Sequence, residues 1–205
     1  MRVMAVIAAL TLGSMAFAHG DEDHGAPDVP LDLSGAVTPL PWDVGGPFTL
    51  TDHTGNTRSE VDPKGQYQLL FFGYASCPGI CSAALPMMAD AVDLLAKDGV
   101  SISPILLTID PDLDTLETMG PALADLSPSF IGLTGDPKSL NAAYSAYNIS
   151  FEQLFVDPEY GPIYAHGSHI YLLDPQGEVL TLLPPVLPAD QVVAIVKRYT
   201  AAALN

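Results

Sequence analysis

Apolar residues in this chain fall into short unbroken runs and helically spaced sets that alternate along its length. Tyr67 to Phe72 is the first strong run, of a length that suits a buried strand. Leu85, Met88, Ala89, Val92 and Leu95 follow at three-and-four spacing and predict an amphipathic helix of about four turns, stopped near Lys97-Asp98-Gly99. Met88 reads as core in that helix, and Met87 has no evident partner. Ser101 to Ile109 is a second strand, and Asp114 with Glu117 three residues on reads as the cap of a second helix. Phe130 to Thr134 is a third strand, after which Asp136 caps and Pro137 opens a helix running to about Tyr147. Phe151 to Val156 and Ile163 to Ala165 flank an Asp157–Pro162 turn and read as an inserted hairpin. Ser168 to Leu173, the turn Asp174-Pro175-Gln176-Gly177 and Glu178 to Leu183 form another antiparallel pair. A last helix opens at Pro188 and carries Val192, Val193, Val196 and Tyr199. Upstream, Phe48 to Thr51 alternates with period two into an Asp52–Asn56 turn, where His53 reads as a solvated loop residue.

Strand and helix alternate three times before the closing hairpin and helix. This order predicts an α/β sandwich with a central mixed β-sheet flanked by helices, the layout of thioredoxin-like folds. At 205 residues and 48% hydrophobic content, the chain has enough core for one domain. The leader reads as an export signal over residues 1–18: Met1-Arg2, an apolar run, then the small-x-small site Ala16-Phe17-Ala18. An uncleaved membrane anchor is the alternative, and with it a weak membrane association. Residues 19–46, with acids, four prolines and no apolar periodicity, read as a flexible acidic arm in which His19 and His24 are candidate copper ligands. The domain proper is then 47–205. Export places the protein in the periplasm.

Seven Lys and Arg against 24 Asp and Glu give a net charge of −17, which repels phosphate backbones and argues against a nucleic-acid partner. Such a surface suits cations and basic protein faces.

The chain's two cysteines, Cys77 and Cys81, lie just past the end of the first strong strand. In an oxidising compartment the default for two thiols is a structural disulfide. A four-residue step closes too small a loop for a useful staple, so chemistry is the better reading. With Cys77 at a helix N-cap and Cys81 one turn inside, both sulfurs share a face and the helix N-terminus favours thiolate. That geometry permits a redox pair or a metal clamp. Two thiolates select Cu(I), and an added imidazole suits both copper states and zinc. His166, just before a strand, is the best third ligand; His169, inside that strand, is expected to be packed or on a solvent face. Asp110, Asp112 and Asp114 do not make a calcium loop, because Thr115 and Pro121 stand where glycine and glutamate are required.

Phe71-Phe72-Gly73-Tyr74-Ala75-Ser76-Cys77-Pro78-Gly79-Ile80-Cys81, then Ile109-Asp110-Pro111 with Asp114-Thr115, then His166 five residues before Tyr171-Leu172, resembles the Sco/SenC family of copper proteins. The resemblance runs in order from about Pro47 to Ala202. It implies a thioredoxin-like domain that binds copper, as Cu(I) or Cu(II), through Cys77, Cys81 and His166. It also implies delivery of copper to the dinuclear copper centre of cytochrome c oxidase, or reduction of that centre's cysteines. The implied partner is the copper-bearing oxidase subunit or another copper chaperone. The family commonly has aspartate where Gly79 stands, proline at Ser82 and aspartate at Ala165. These departures remove no ligand.

A binding and delivery protein rather than an enzyme is therefore the leading expectation. A periplasmic thiol–disulfide oxidoreductase using Cys77 and Cys81 is the alternative, although such enzymes usually carry two residues between their cysteines and not three. A thiol peroxidase ranks last, because Tyr74 stands where that chemistry places a threonine.

Overall fold

Two strands buried on both faces explain the continuous apolar runs at the centre of the chain. They are β3 (Tyr67–Gly73) and β4 (Ile102–Thr108), which pair in parallel from Tyr67 opposite Ile102 to Gly73 opposite Thr108. The computed structural model describes residues 37–167 and 169–202. The leader read over 1–18 and the arm up to residue 36 lie outside the described residues.

Around this pair the sheet runs β2-β1-β5-β4-β3-β8-β9. The short outer strands β1 (Leu50–Asp52) and β2 (Thr57–Arg58) form a hairpin, and β1 pairs antiparallel with β5 (Ile131–Thr134). On the other side β8 (Ile170–Leu173) and β9 (Val179–Leu183) are antiparallel to their neighbours. The sheet is mixed, as the element order predicts.

Helix α1 (Cys81–Lys97) covers one face and packs against α4 (Ala189–Ala202). Because side chains alternate along a strand, Leu69, Phe71 and Gly73 share the α1 face. Leu70 and Phe72 point the other way, where Phe72 meets Tyr144 of α3 (Pro137–Ala146) and Tyr147 just beyond it. Helix α2 (Leu116–Ala124) packs on β5, burying Met119 and Leu123. The Asp136 cap forms as expected, accepting from the backbone N–H of Lys138 and Ser139 with Pro137 in the first turn. The hairpin β6 (Phe151–Asp157) and β7 (Gly161–His166) is a separate two-stranded sheet. Val44 packs against the core and the Gly45 N–H donates to Ala146 O, so contacts with the domain precede Pro47. No helix among the described residues is long and apolar enough to cross a membrane.

Three local readings change. Helix α1 begins at Cys81 with Ile80 as its N-cap, so Cys77 is not a cap but part of the turn before the helix. Pro78 and Gly79 make that turn and exclude residues 77–80 from the helix. Asp114 is not the cap of α2; Thr115 is, with Thr118 Oγ1 accepting the Thr115 N–H at 2.9 Å. Asp114 is instead buried under the cysteine loop. His53 is half-buried rather than solvated, because its Nδ1 accepts the Gly132 N–H of β5 at 3.1 Å. His169 lies just before β8 and is exposed, which fits the solvent-facing reading.

Candidate metal centre

Strand β3 delivers the site. Its last residue, Gly73, is where the backbone must pass close to a sulfur: a β-carbon there would lie 2.9 Å from Cys81 Sγ and 2.8 Å from the Phe71 ring. Only glycine lets Cys81 settle against the strand end. Gly73→Ala is expected to destabilise the domain by about 1–3 kcal/mol through overpacking and to displace Cys81, measured by urea unfolding and metal titration.

Beyond Gly73 the chain turns through Tyr74–Ile80. The Cys77 N–H donates to Tyr74 O at 3.3 Å, and Ser82 closes the turn from the helix side, its hydroxyl donating to Gly79 O at 2.7 Å. Ser82 N–H reaches the same carbonyl at 3.1 Å, a bond that a proline there would lose. A β-carbon at Gly79 would sit 3.7 Å from Cys77 Sγ, in ordinary contact, so the aspartate common in the family fits at this position.

Asp114 anchors the loop from below. It is 2% exposed, its two oxygens accept the Ala75 N–H at 3.2 and 3.1 Å, and Oδ2 also accepts the Thr108 hydroxyl at 2.7 Å. Burial pushes its carboxyl up to about 6, against the pull of these donors. A carboxyl raised above its unfolded value stabilises the fold fully below that value and loses the contribution as pH rises through about 6. Relative to Asp114→Asn, the metal-free protein is therefore expected to lose up to about 3 kcal/mol between pH 4 and 7.5, measured by paired urea titrations. The shared effects of the cysteines cancel in that comparison.

The third candidate ligand comes from the hairpin. His166 is the last residue of β7, paired with Phe151 of β6, and not part of a free loop. Its ring meets Phe71 and Tyr74 edge-on, each at 6.2 Å, and Tyr74 packs in turn on Tyr164 of the same strand at 5.4 Å. These contacts seat the hairpin over the thiols. His166 Nδ1 lies 2.9 Å from Gly167 O. A carbonyl only accepts, so Nδ1 carries a proton and donates it, which leaves Nε2 as the nitrogen that faces the thiols. The carbonyl thus orients the ring.

Nε2 stands 3.9 Å from Cys81 Sγ, and one ligand atom each from Cys77, Cys81 and His166 lie within 4.8 Å of one another. The structure thus brings together all three residues selected from the sequence. His19 and His24 lie outside the described residues, and His53 belongs to the far end of the sheet.

Both cysteines are unpaired and buried, Cys77 at 8% and Cys81 at 1% exposure. The Cys81 S–H donating to Cys77 holds the Cys77 thiol down to about 4, helped by His166 and by the backbone N–H groups of Cys81 and Gly79. The same bond, with burial, pushes Cys81 up. Burial opposes protonation of His166, but its contact with the Cys77 thiolate and the Gly167 carbonyl raises it on balance. The reduced site therefore holds one thiolate and one thiol beside the His166 ring. Burial and the neighbouring Cys77 thiolate raise the Tyr74 hydroxyl, keeping that wall neutral.

Sequence reasoning assigned no site role to Gly73 or Tyr74 and misread Asp114. A buried strand ending in glycine, and an aspartate six residues past the end of the neighbouring strand, were the available signals.

A family model described as SCO1/SenC matches residues 37–201. The human mitochondrial SCO2 homologue is 33% identical over 159 residues, covering 77% of this chain and 60% of that protein. The chain thus spans about three-fifths of the mammalian SCO2 relatives it matches. Among solved structures, Bradyrhizobium japonicum ScoI with copper bound superposes with a TM-score of 0.68 at 29% identity, covering 76% of this chain and 99% of the other. BsSco, described as a member of the Sco family of cytochrome c oxidase assembly proteins with a disulfide switch, gives 0.59 at 26% identity, covering 78% and 94%. The span matched by the family model holds the whole sheet, both cysteines and His166, and on that ground the chain belongs to the SCO1/SenC family.

Proposed function

We propose that this protein binds copper through Cys77, Cys81 and His166 and delivers it to the dinuclear copper centre of cytochrome c oxidase. The observation that carries this reading is the convergence of two sulfurs and an imidazole nitrogen within 4.8 Å. Two thiolates and one imidazole form a soft donor set that suits copper. Capture displaces the proton of Cys81, and release follows when a receiving protein's own thiols and imidazoles exchange in. The copper-bound ScoI structure and the assembly role attributed to BsSco's family support this assignment. With the export signal read over residues 1–18, the site of action is the periplasm.

The receiving protein docks on the hairpin in this account. Leu154, Phe155 and Val156 of β6 are 57%, 56% and 64% exposed, on the strand whose first residue pairs with His166. Their charged neighbours are Glu152, Asp157 and Glu159, and no Lys or Arg occurs between Lys138 and Lys197. A partner with apolar and basic residues around its copper ligands fits this face.

A second reading is favoured by the ready thiolate. Cys77 attacks a partner disulfide, and Cys81, giving up its proton, resolves the mixed disulfide, so the partner leaves as a dithiol and this chain is oxidised. One experiment separates the two. Copper-loaded protein is mixed with the metal-free copper domain of an oxidase, and arrival of copper is followed optically. Wild type is expected to transfer copper, Phe155→Glu to hold copper normally but transfer it slowly, and His166→Ala to deliver none. If His166→Ala with free copper matures an oxidised acceptor as well as wild type does, thiol reduction is the function.

A further inference from the structure

We propose that this domain has a second site, at the end of the sheet opposite the thiols, which binds a small molecule through a carboxylate or phosphate group. The cavity there has a volume of about 760 Å³ and opens where β4 and β5 begin. The thiols follow the far end of β3, which runs parallel to β4, so the seven residues of β4 separate the two sites by about 20 Å.

The chain carries only seven Lys and Arg, yet Arg58 and Lys64 both line this cavity, together with His53. Arg58 is the key. Its side chain is only 10% exposed, and among the described residues its one ionic contact is to Asp62 Oδ2, at a long 3.4 Å. Its Nε is buried with no hydrogen-bond partner among the described residues and is closed to the cavity, which leaves the Nη groups as the guanidinium donors a ligand could meet. A guanidinium has five N–H donors, and a buried cation so thinly partnered is costly unless an anion completes its shell.

The nearby carboxylates do not do this. Asp62 Oδ2 is shared with the Ser103 hydroxyl at 3.0 Å, and its Oδ1 accepts the Lys64 and Gln66 backbone N–H groups at 2.8 and 3.1 Å. Asp52 Oδ1 accepts the backbone N–H of Thr54 and of Asn56 and the Thr54 hydroxyl. Asp52 is thus turned onto donors of its own turn, and Asp62 is divided among Arg58, Ser103 and the N–H groups of Lys64 and Gln66. His53 Nδ1 is occupied by the Gly132 N–H, so the neutral ring carries its proton on Nε2 and adds a donor to the lining. Ser101 and Ser129 bring hydroxyls, while Val92 and Ala96 of α1 give an apolar wall. An oxyanion matched to the guanidinium fork, with a short organic body against that wall, fits the lining.

The test uses the full protein, titrated at constant ionic strength with inorganic phosphate, glycerol phosphate and succinate while the Arg58 Nε–H resonance is followed by ¹⁵N NMR. Saturable movement with at least one of them is expected, and which one saturates separates phosphate from carboxylate recognition. Arg58→Gln and Lys64→Gln should each weaken binding about tenfold or more, read from backbone resonances around the cavity. Lys64→Gln changes an exposed side chain, so it keeps the test valid should Arg58→Gln fail to fold. Copper binding should be unchanged in both variants. Movement that never saturates, or binding that survives both substitutions, would mean an adventitious ion only and would overturn the proposal.

Discussion

His166→Ala is expected to weaken copper binding by more than about a hundredfold while leaving the fold intact. Loss of a partner that merely orients a metal ligand costs roughly 10–100-fold, and here the ligand itself is removed. The fold is spared because His166 ends a two-stranded sheet outside the main one and its ring is only half-buried. Competition with a copper chelator, alongside urea unfolding of both proteins, makes the measurement. Gly167, whose carbonyl holds Nδ1, should also matter less to affinity than the ring it orients, because the backbone carbonyl survives substitution. An unchanged affinity in His166→Ala would remove the imidazole from the site and leave a two-thiol redox pair.

Alkylation of the reduced, metal-free protein is expected to modify Cys77 at a rate nearly independent of pH from 5 to 8, while Cys81 stays unmodified. An ordinary thiol would react about tenfold faster per pH unit over that range, because its thiolate fraction rises in that proportion. Cys77, held down to about 4 by the Cys81 S–H, is thiolate throughout and loses that form only as pH falls through about 4. The absolute rate will be modest, since a thiolate of low pKa is a weaker nucleophile. Cys81 donates its proton to Cys77 and is almost fully buried, so its reactivity stays low. Peptide mapping after timed labelling reads both rates. A tenfold rise per pH unit at Cys77 would show that the two sulfurs do not share a proton as the structure describes.

The sheet was legible because its central strands are buried on both faces, which forces uninterrupted apolar runs at Tyr67–Phe72 and Ser101–Ile109. Asp136-Pro137 was equally plain, since capping and the first-turn proline are local chemistry. The misread residues share another property. Asp114 reaches Ala75, 39 positions away, and His53 reaches Gly132, 79 positions away. An aspartate before a helix looks like a cap until the cysteine loop is seen lying on it, and a histidine in a turn looks solvated until β5 is placed beside it. The start of α1 failed for a different reason: helical spacing suggested a shared face for Cys77 and Cys81, whereas a Pro78-Gly79 turn brings the sulfurs together. The site itself was found by donor chemistry and by the family resemblance. Its enclosure by Tyr74, Phe71 and the hairpin depends on tertiary packing that spacing along the chain does not encode.

The most direct test of the central claim is the X-ray absorption spectrum of the reduced chain loaded with one equivalent of copper. Two sulfur neighbours and one imidazole nitrogen around the metal are predicted, with the nitrogen lost in His166→Ala and one sulfur lost in Cys81→Ser. A shell of nitrogen and oxygen alone, or a spectrum unmoved by either substitution, would contradict the assignment of Cys77, Cys81 and His166 as the copper site.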